Sequence, residues 1–308
     1  MPRQQTGWMM NTSSVDSLRD IFSSRYRFAL GLLNKTQATF GEQWTHEFNT
    51  VLESLFPNEE SLGTAAKGYS AFAFDSMRMQ KVFESTLKYE NTSYAKAASD
   101  VYFNKVYMES EYLPGLLLSH FLWPHHYRQM RFFDSAFLNA ISRSNDQTFA
   151  EIGVGTALYS RRVLENIESS SGYAYDISPT SCRFAERQMD AIQANDRYEI
   201  FLQDILEIPI APVSWIICVE VLEHLENPVD FLRALRNAMR SGGKAFITAA
   251  LNSAHVDHIY LYRETRDVES HLQSAGFVIE ESYSAAAYVP PGKGIPVPVA
   301  AAFIVTAE

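Results

Sequence analysis

A glycine turn, Glu151-Ile-Gly153-Val-Gly155, holds the residues whose types and spacing suggest chemistry most directly. It follows a short apolar run and precedes a helical pattern, as in the first half of a nucleotide-binding βαβ unit. The glycines let the backbone turn tightly and let a ligand approach the main chain without meeting a Cβ atom. A carboxylate directly before the first glycine would repel a pyrophosphate and attract a cation. The motif therefore favours a cofactor with an ammonium or sulfonium group over NAD or FAD.

Three further acidic residues, Asp176, Asp204 and Glu220, also follow short apolar runs. In an open parallel sheet the carboxyl ends of the strands meet at one edge, and ligands bind in the crevice there. We therefore expect these carboxylates and Glu151 to surround one binding site.

The elements that must position these residues alternate from residue 148 onward. Apolar runs predict strands at 148–152, 173–176, 198–203, 215–219, 244–249, 277–283 and 300–306. Helical patterns between them cover 157–166, 180–192, 228–239 and 265–274. This alternation predicts an α/β fold with a Rossmann-like, seven-stranded, doubly wound sheet and helices on both faces.

The first part of the chain follows a different pattern. From residue 15 to residue 141 apolar side chains recur at helical spacing, with many aromatic residues and hardly any strand-like alternation. Breaks between helices are expected at Pro57, Gly63, Gly68 and Pro114-Gly115. The polar run 142–147 marks a boundary, which gives an N-terminal α-helical lid domain, 1–142, and a cofactor-binding domain, 143–308.

Composition excludes several classes of protein. The chain has 308 residues, a formal net charge of −10 and no run of Lys or Arg, which argues against nucleic-acid binding. Two cysteines make a disulfide framework improbable. Residues 1–14 lack the pattern of a signal peptide, and no apolar stretch is long enough to cross a bilayer. A cytoplasmic protein without a membrane or nucleic-acid partner is expected, and a homodimer stays open.

Read in order, the motifs resemble those of the class I S-adenosylmethionine-dependent methyltransferases, of the small-molecule type with an N-terminal helical domain. The resemblance covers about half the chain, 148–308. It rests on the glycine turn and on five later segments: two strand ends with Asp176 and Asp204, then Cys218-Val-Glu220-Val-Leu-Glu223-His224-Leu225, Arg240-Ser-Gly242-Gly243, and His258-Ile-Tyr-Leu-Tyr262 with Gly276-Phe277. One departure is Ala157, where many members of the family have a third glycine.

The resemblance implies S-adenosyl-L-methionine as the cofactor. Asp176 would then accept hydrogen bonds from the ribose hydroxyls, and Asp204 from the adenine amino group. Glu220 and Val221 would face the methionine end. The cofactor-binding set implied in this way is Glu151, Gly153, Gly155, Asp176, Ile177, Asp204, Ile205, Glu220 and Val221.

Candidates for the transfer step lie beyond the fifth strand and in the helical region. His255 and His258 could each accept a substrate proton, because imidazole is neutral and basic near pH 7; packing against a helix or the cofactor pocket is the alternative. Two roles are open for a group of residues in the helical region: they line a substrate pocket under the lid, or they pack between the domains. This group is Trp123, His125, His126 and Tyr127. No spacing matches a recognised metal motif, so no metal is expected, although a site from His125, His126, His255 and His258 is an alternative.

These features predict methylation of a small-molecule metabolite at O, N or C, in secondary metabolism. Two alternatives remain: a methyltransferase fold that binds without turnover, and aminocarboxypropyl transfer from the same cofactor.

Overall fold

A seven-stranded sheet forms the centre of the second half of the chain. The computed structural model describes residues 13–290 and 292–307, so most of the segment inspected for a signal peptide, 1–14, lies outside the described residues. The strand order is β3-β2-β1-β4-β5-β7-β6. The strands are β1 (Thr148–Ile152), β2 (Ser171–Asp176), β3 (Tyr198–Leu202), β4 (Val213–Cys218), β5 (Met239–Leu251), β6 (Phe277–Ala286) and β7 (Val299–Ala307). The seven-stranded α/β fold predicted from the sequence is confirmed.

Two details of the sheet differ from the prediction. The last strand, β7, lies between β5 and β6 and runs antiparallel to both. Antiparallel neighbours need no crossover helix, so the loop between β6 and β7 can connect them directly. The fifth strand, predicted at 244–249, spans Met239–Leu251 and so includes Gly242 and Gly243, beside a register shift against β4.

Twelve α-helices, numbered in chain order, are present among the described residues. Those before the sheet are α1 (Ser14–Arg25), α2 (Arg27–Leu55), α3 (Glu59–Thr86), α4 (Tyr94–Ala97), α5 (Lys105–Tyr107), α6 (Leu113–Leu122), α7 (Pro124–Phe132) and α8 (Asn139–Ser142). π-helical turns at Ala98–Tyr102, Met108–Tyr112 and Phe133–Leu138 adjoin the shorter helices. Within the sheet region the helices are α9 (Leu158–Asn166), α10 (Pro179–Ile192), α11 (Pro228–Asn237) and α12 (Thr265–Ser274).

The glycines predicted to break the N-terminal helices do not do so. Gly63 and Gly68 lie inside α3, and Pro114-Gly115 lies in the first turn of α6. The prediction of a break is correct at Pro57, which separates α2 from α3. The kink in α2 occurs instead at Gly41, where φ is +69°.

The N-terminal helices share a hydrophobic core with one face of the sheet. Aromatic side chains of residues 133 and 137 pack against Phe246 on β5, and Phe137 also contacts Trp215 on β4. The opposite face is covered by α11 and α12 through residues such as Leu232, Leu235 and Leu272. The N-terminal region is thus held over one face and the carboxyl edge of the sheet. None of the described helices has the length and apolar character needed to cross a membrane.

Candidate functional site

A cavity of about 430 Å³ opens at the carboxyl edge of the sheet, between the strand ends and the N-terminal helices. Its size falls in the range of small-molecule and cofactor sites. The structure brings all nine residues of the expected cofactor-binding set into its wall: Glu151, Gly153, Gly155, Asp176, Ile177, Asp204, Ile205, Glu220 and Val221.

The glycine turn forms one wall of the cavity. Gly153 has φ +71°, a conformation that glycine adopts without strain, and its N–H donates to the Tyr175 carbonyl at 2.8 Å. A Cβ atom at Gly153 would lie 2.6 Å from Cγ2 of Val221. Only a glycine fits between this turn and the loop after β4, so the main chain is left bare towards the cavity.

Asp176 ties the end of β2 to the glycine turn. Its Oδ2 accepts from the Gly155 N–H at 3.1 Å, and its Oδ1 accepts from the Ser178 N–H at 2.7 Å. Burial raises the pKa of Asp176 to about 6. At neutral pH the group is a carboxylate fixed at the cavity wall, which suits a pair of ribose hydroxyl donors.

Glu151 is buried below the turn and bonds within the protein. Its Oε2 accepts from the Ser160 N–H at 3.0 Å and from the Ser160 hydroxyl, at the first turn of α9. Burial raises the pKa of Glu151 to about 8. The side chain is therefore mostly protonated at pH 7, which corrects the expectation that it attracts a cation as a free charge.

Replacing Glu151 with Gln is expected to flatten the pH dependence of stability. The folded carboxyl keeps its proton up to about pH 8, whereas the unfolded one releases it near 4.5. The wild type should thus lose about 2 kcal/mol more stability than Glu151→Gln between pH 5 and pH 7. Urea unfolding of both proteins at the two pH values measures this difference. The exposed Glu199→Gln is the control and should follow the wild type, and equal pH slopes in all three proteins would contradict the prediction.

Glu220 occupies a strained position at the end of β4. Its φ is +53°, and its N–H donates to Thr248 Oγ1 at 2.8 Å, while that hydroxyl donates to Glu220 Oε1 at 2.6 Å. Residues other than glycine rarely adopt this conformation, and backbone strain of this kind is concentrated at binding sites. Thr248 on β5 holds the carboxyl at the cavity edge.

A buried carboxylate, Asp257, organises the loop after β5. Its Oδ1 lies 2.6 Å from Nδ1 of His255, and its Oδ2 accepts from the hydroxyl of Tyr112 at 2.7 Å and from that of Tyr102 at 3.2 Å. Burial opposes ionisation, yet His224 and His255 hold the pKa of Asp257 well below its usual range. Because a carboxylate only accepts, the neutral form of His255 carries its proton on Nδ1 and has a free lone pair on Nε2.

His258 has the same tautomer for a different reason. Its Nδ1 lies 2.7 Å from the carbonyl oxygen of Ser253, which can only accept. Burial lowers the pKa of His258 to about 3, so the ring is neutral. His255 and His258 both line the cavity, and their role as proton acceptors stays a prediction.

The expected substrate residues of the helical region divide into two groups. Trp123 and His126 line the cavity. His125 and Tyr127 do not, which corrects the sequence expectation: the His125 ring stacks on Trp123, and the Tyr127 hydroxyl donates to Glu47 at 3.2 Å. Both side chains are buried between helices. The alternative of packing, which the sequence left open, holds for these two residues.

Several cavity residues were missed by sequence reasoning. Phe72 and Tyr112 approach the His255 ring at centroid distances of 4.8 Å and 5.8 Å. Met108 and Leu116 extend the same apolar wall. These residues belong to helical patterns that look like ordinary core, and nothing in their local sequence marks them as site residues.

The polar groups of the cavity fit S-adenosylmethionine. The Tyr159 hydroxyl is buried, belongs to a residue that lines the cavity and has no hydrogen-bond partner among the described residues. Such a donor matches the cofactor's carboxylate, while Asp176 and Asp204 offer acceptors for its ribose and adenine donors. The bare turn at Gly153 leaves space for its thioether chain.

Comparison with known proteins agrees with this geometry. Residues 150–245 match a family model described as a methyltransferase domain. The solved structure of the mitomycin 7-O-methyltransferase MmcR is similar over 82% of this chain and 75% of that chain, with a TM-score of 0.53 at 16% identity. This similarity shows the fold across most of the chain. No curated protein matches the sequence.

Two further solved structures are similar over smaller parts of the chain. A methyltransferase from Clostridium acetobutylicum that depends on S-adenosylmethionine covers 64% of this chain and 99% of that chain, with a TM-score of 0.49 at 12% identity. The magnesium protoporphyrin IX methyltransferase of Synechocystis, solved with bound S-adenosylmethionine, covers 59% and 80%, with a TM-score of 0.45 at 16% identity.

Proposed function

We propose that this chain, whose residues 150–245 match a methyltransferase-domain model, uses S-adenosylmethionine to transfer a methyl group to a hydroxyl of a small, largely apolar metabolite in secondary metabolism. The observation that carries this proposal is the pairing of His255 with Asp257 at 2.6 Å. The pairing leaves a basic nitrogen on a ring that lines the cavity. An acceptor hydroxyl must lose its proton to such a base, whereas an unprotonated amine can attack the methyl group without one.

The shape and chemistry of the cavity support a small acceptor. Phe72 and Tyr112 form an apolar wall around His255, and the Trp123 ring lies 5.9 Å from that of Phe72. A volume of about 430 Å³ suits the cofactor together with a compact acceptor. We infer that the helices of residues 1–142 supply the acceptor side of the site.

The residues can share the work of transfer in a simple way. When bound, S-adenosylmethionine supplies a methyl group on a sulfonium. The neutral thioether is the leaving group, and it needs no activation by a metal or an acid. Nε2 of His255 takes the proton of the acceptor hydroxyl while the hydroxyl oxygen bonds to the methyl carbon. The electron pair of the carbon–sulfur bond stays on sulfur. Asp257 fixes the ring and stabilises the imidazolium that forms. Phe72 and Tyr112 exclude water from the reacting oxygen.

A panel of acceptors tests this function. The full chain is incubated with S-adenosylmethionine and with phenols, aliphatic alcohols, amines and carbon acids, and both products are identified by mass spectrometry. We expect methyl ethers together with S-adenosylhomocysteine. Methylation of amines alone would overturn the hydroxyl assignment. Methylthioadenosine would indicate aminocarboxypropyl transfer, and cofactor binding without any product across the panel would favour a binding protein. The O-methyl activity in the name of MmcR is in line with the first outcome.

A further inference from the structure

The carboxyl group of Glu223 is fully buried and lies close to that of Glu220. Glu223 lies in a short turn, Leu222–His224, directly after β4, and the residue has no solvent exposure. Neither carboxyl oxygen has a hydrogen-bond partner among the described residues. An isolated carboxylate in such a place costs several kcal/mol, and unsatisfied buried groups often mark a missing ion.

Two imidazole rings lie next to this carboxyl. An oxygen of Glu223 and one ring nitrogen each of His224 and His258 all lie within 4.8 Å of one another. Nδ1 of His224 lies 3.1 Å from the Asp257 carbonyl, as Nδ1 of His258 lies 2.7 Å from that of Ser253. Both carbonyls can only accept, so the neutral form of each ring has its free lone pair on Nε2. A histidine that ligates a metal characteristically donates its other N–H in this manner.

A second cluster in the same loop is a weaker candidate. His255, Asp257 and His258 also place ligand atoms within 4.8 Å of one another. The oxygens of Asp257, however, already accept from two tyrosine hydroxyls and from His255. Among the described residues no hydrogen bond of ordinary geometry reaches the Glu223 oxygens, so this carboxyl is the one more available for a cation.

We propose that Glu223, His224 and His258 bind a divalent transition-metal ion of the Zn²⁺ or Co²⁺ type. Two imidazoles and one carboxylate select such ions over Mg²⁺ and Ca²⁺, which prefer oxygen ligands throughout. Glu220, next to the cluster in sequence, adds a second acidic group nearby and favours a cation further. His224 and His258 line the cavity, so an ion held by them has an entry path and open positions towards the acceptor side. This inference goes beyond the proposed function and does not depend on it.

Metal binding can be measured without cofactor or acceptor. The full chain, stripped with a chelator, is titrated with Zn²⁺ by calorimetry and with Co²⁺ by visible absorption. We expect saturation at one ion per chain, a ligand-field band with Co²⁺, and a higher melting temperature with Zn²⁺. Glu223→Gln and His258→Asn should each weaken binding at least tenfold. His271→Gln is the control: this histidine bonds to Tyr260 and Tyr262, outside the cluster, and its loss should not change binding.

Two results would overturn the proposed site. One is the absence of saturable binding of either ion to the folded wild type. The other is unchanged affinity in both Glu223→Gln and His258→Asn, which would place any bound ion elsewhere and leave Glu223 as a protonated acid. Circular dichroism of each variant confirms that it is folded. Because no methyl donor is present, failure here leaves the proposed methylation untouched.

Discussion

Replacing Asp257 with Ala is expected to lower the free energy of unfolding by about 3–5 kcal/mol. The carboxylate is fully buried and accepts from His255 and from the hydroxyls of Tyr102 and Tyr112. Alanine would leave all three donors buried without an acceptor. The tyrosines lie in π-helical turns of the N-terminal region, so the change also cuts its polar link to the loop after β5.

Urea unfolding followed by tryptophan fluorescence measures the loss, with the exposed Asp20→Ala as the matched control. Tyr112→Phe removes the hydroxyl donor itself, so no donor is left without an acceptor. It should lower the free energy of unfolding by only about 1 kcal/mol. A stability within 1 kcal/mol of the wild type for Asp257→Ala would show that water replaces the carboxylate. In that event the network would not hold the two regions together.

The alternation of strands and helices after residue 148 was predictable because most strands contain a short apolar run, which is largely buried in β1, β4 and β7. β1 and α12 have the predicted bounds, and other elements differ mainly at their ends. The position of β7 between β5 and β6 was not predictable in this way. Strand order is decided by pairing between segments that are distant in the chain. The alternation of strands and helices along the sequence does not indicate which neighbours a strand has in the sheet.

The glycines of the helical region show the same limit. Gly68 and Gly115 read as helix breaks, yet each permits a close contact within or beside a helix. A Cβ atom at Gly68 would lie 2.3 Å from the Ser110 carbonyl oxygen, and one at Gly115 would lie 2.4 Å from the Phe72 side chain. Local sequence cannot distinguish a glycine required by packing from one that ends a helix.

The site was predictable where its residues follow one another along the chain. The glycine turn and the carboxylates at strand ends all lie in the wall of one cavity. Asp257 was not singled out, although it lies between the two candidate histidines, because its importance comes from tyrosines 145 and 155 residues away. Glu223 was recognised only as part of a motif, since burial without a partner is a property of the folded chain.

Substitution of His255 by Ala is expected to lower kcat for the preferred hydroxyl acceptor by about 10²–10⁴-fold, the usual contribution of a positioned base. The loss arises because Asp257 would still be in place but no nitrogen would be left to take the proton. The affinity for S-adenosylmethionine should change little, because the residues proposed to bind its ribose and adenine, Asp176 and Asp204, lie at the end of β2 and just after β3, away from His255 in the chain. Steady-state kinetics with the acceptor and calorimetry with the cofactor measure the two quantities separately.

The choice between His255 and His258 follows from their partners. His255 donates to a carboxylate that stabilises a positive ring, whereas His258 donates to a neutral carbonyl, and its burial lowers its pKa to about 3. A base must become charged during transfer, so His255 is the better acceptor of the proton. His255→Gln, which keeps a hydrogen bond to Asp257 but not the basic nitrogen, should be as slow as His255→Ala while remaining as stable as the wild type within about 1 kcal/mol. If His255→Gln keeps wild-type kcat, the ring only supports the wall formed by Phe72 and Tyr112, and the base must be sought elsewhere in the cavity.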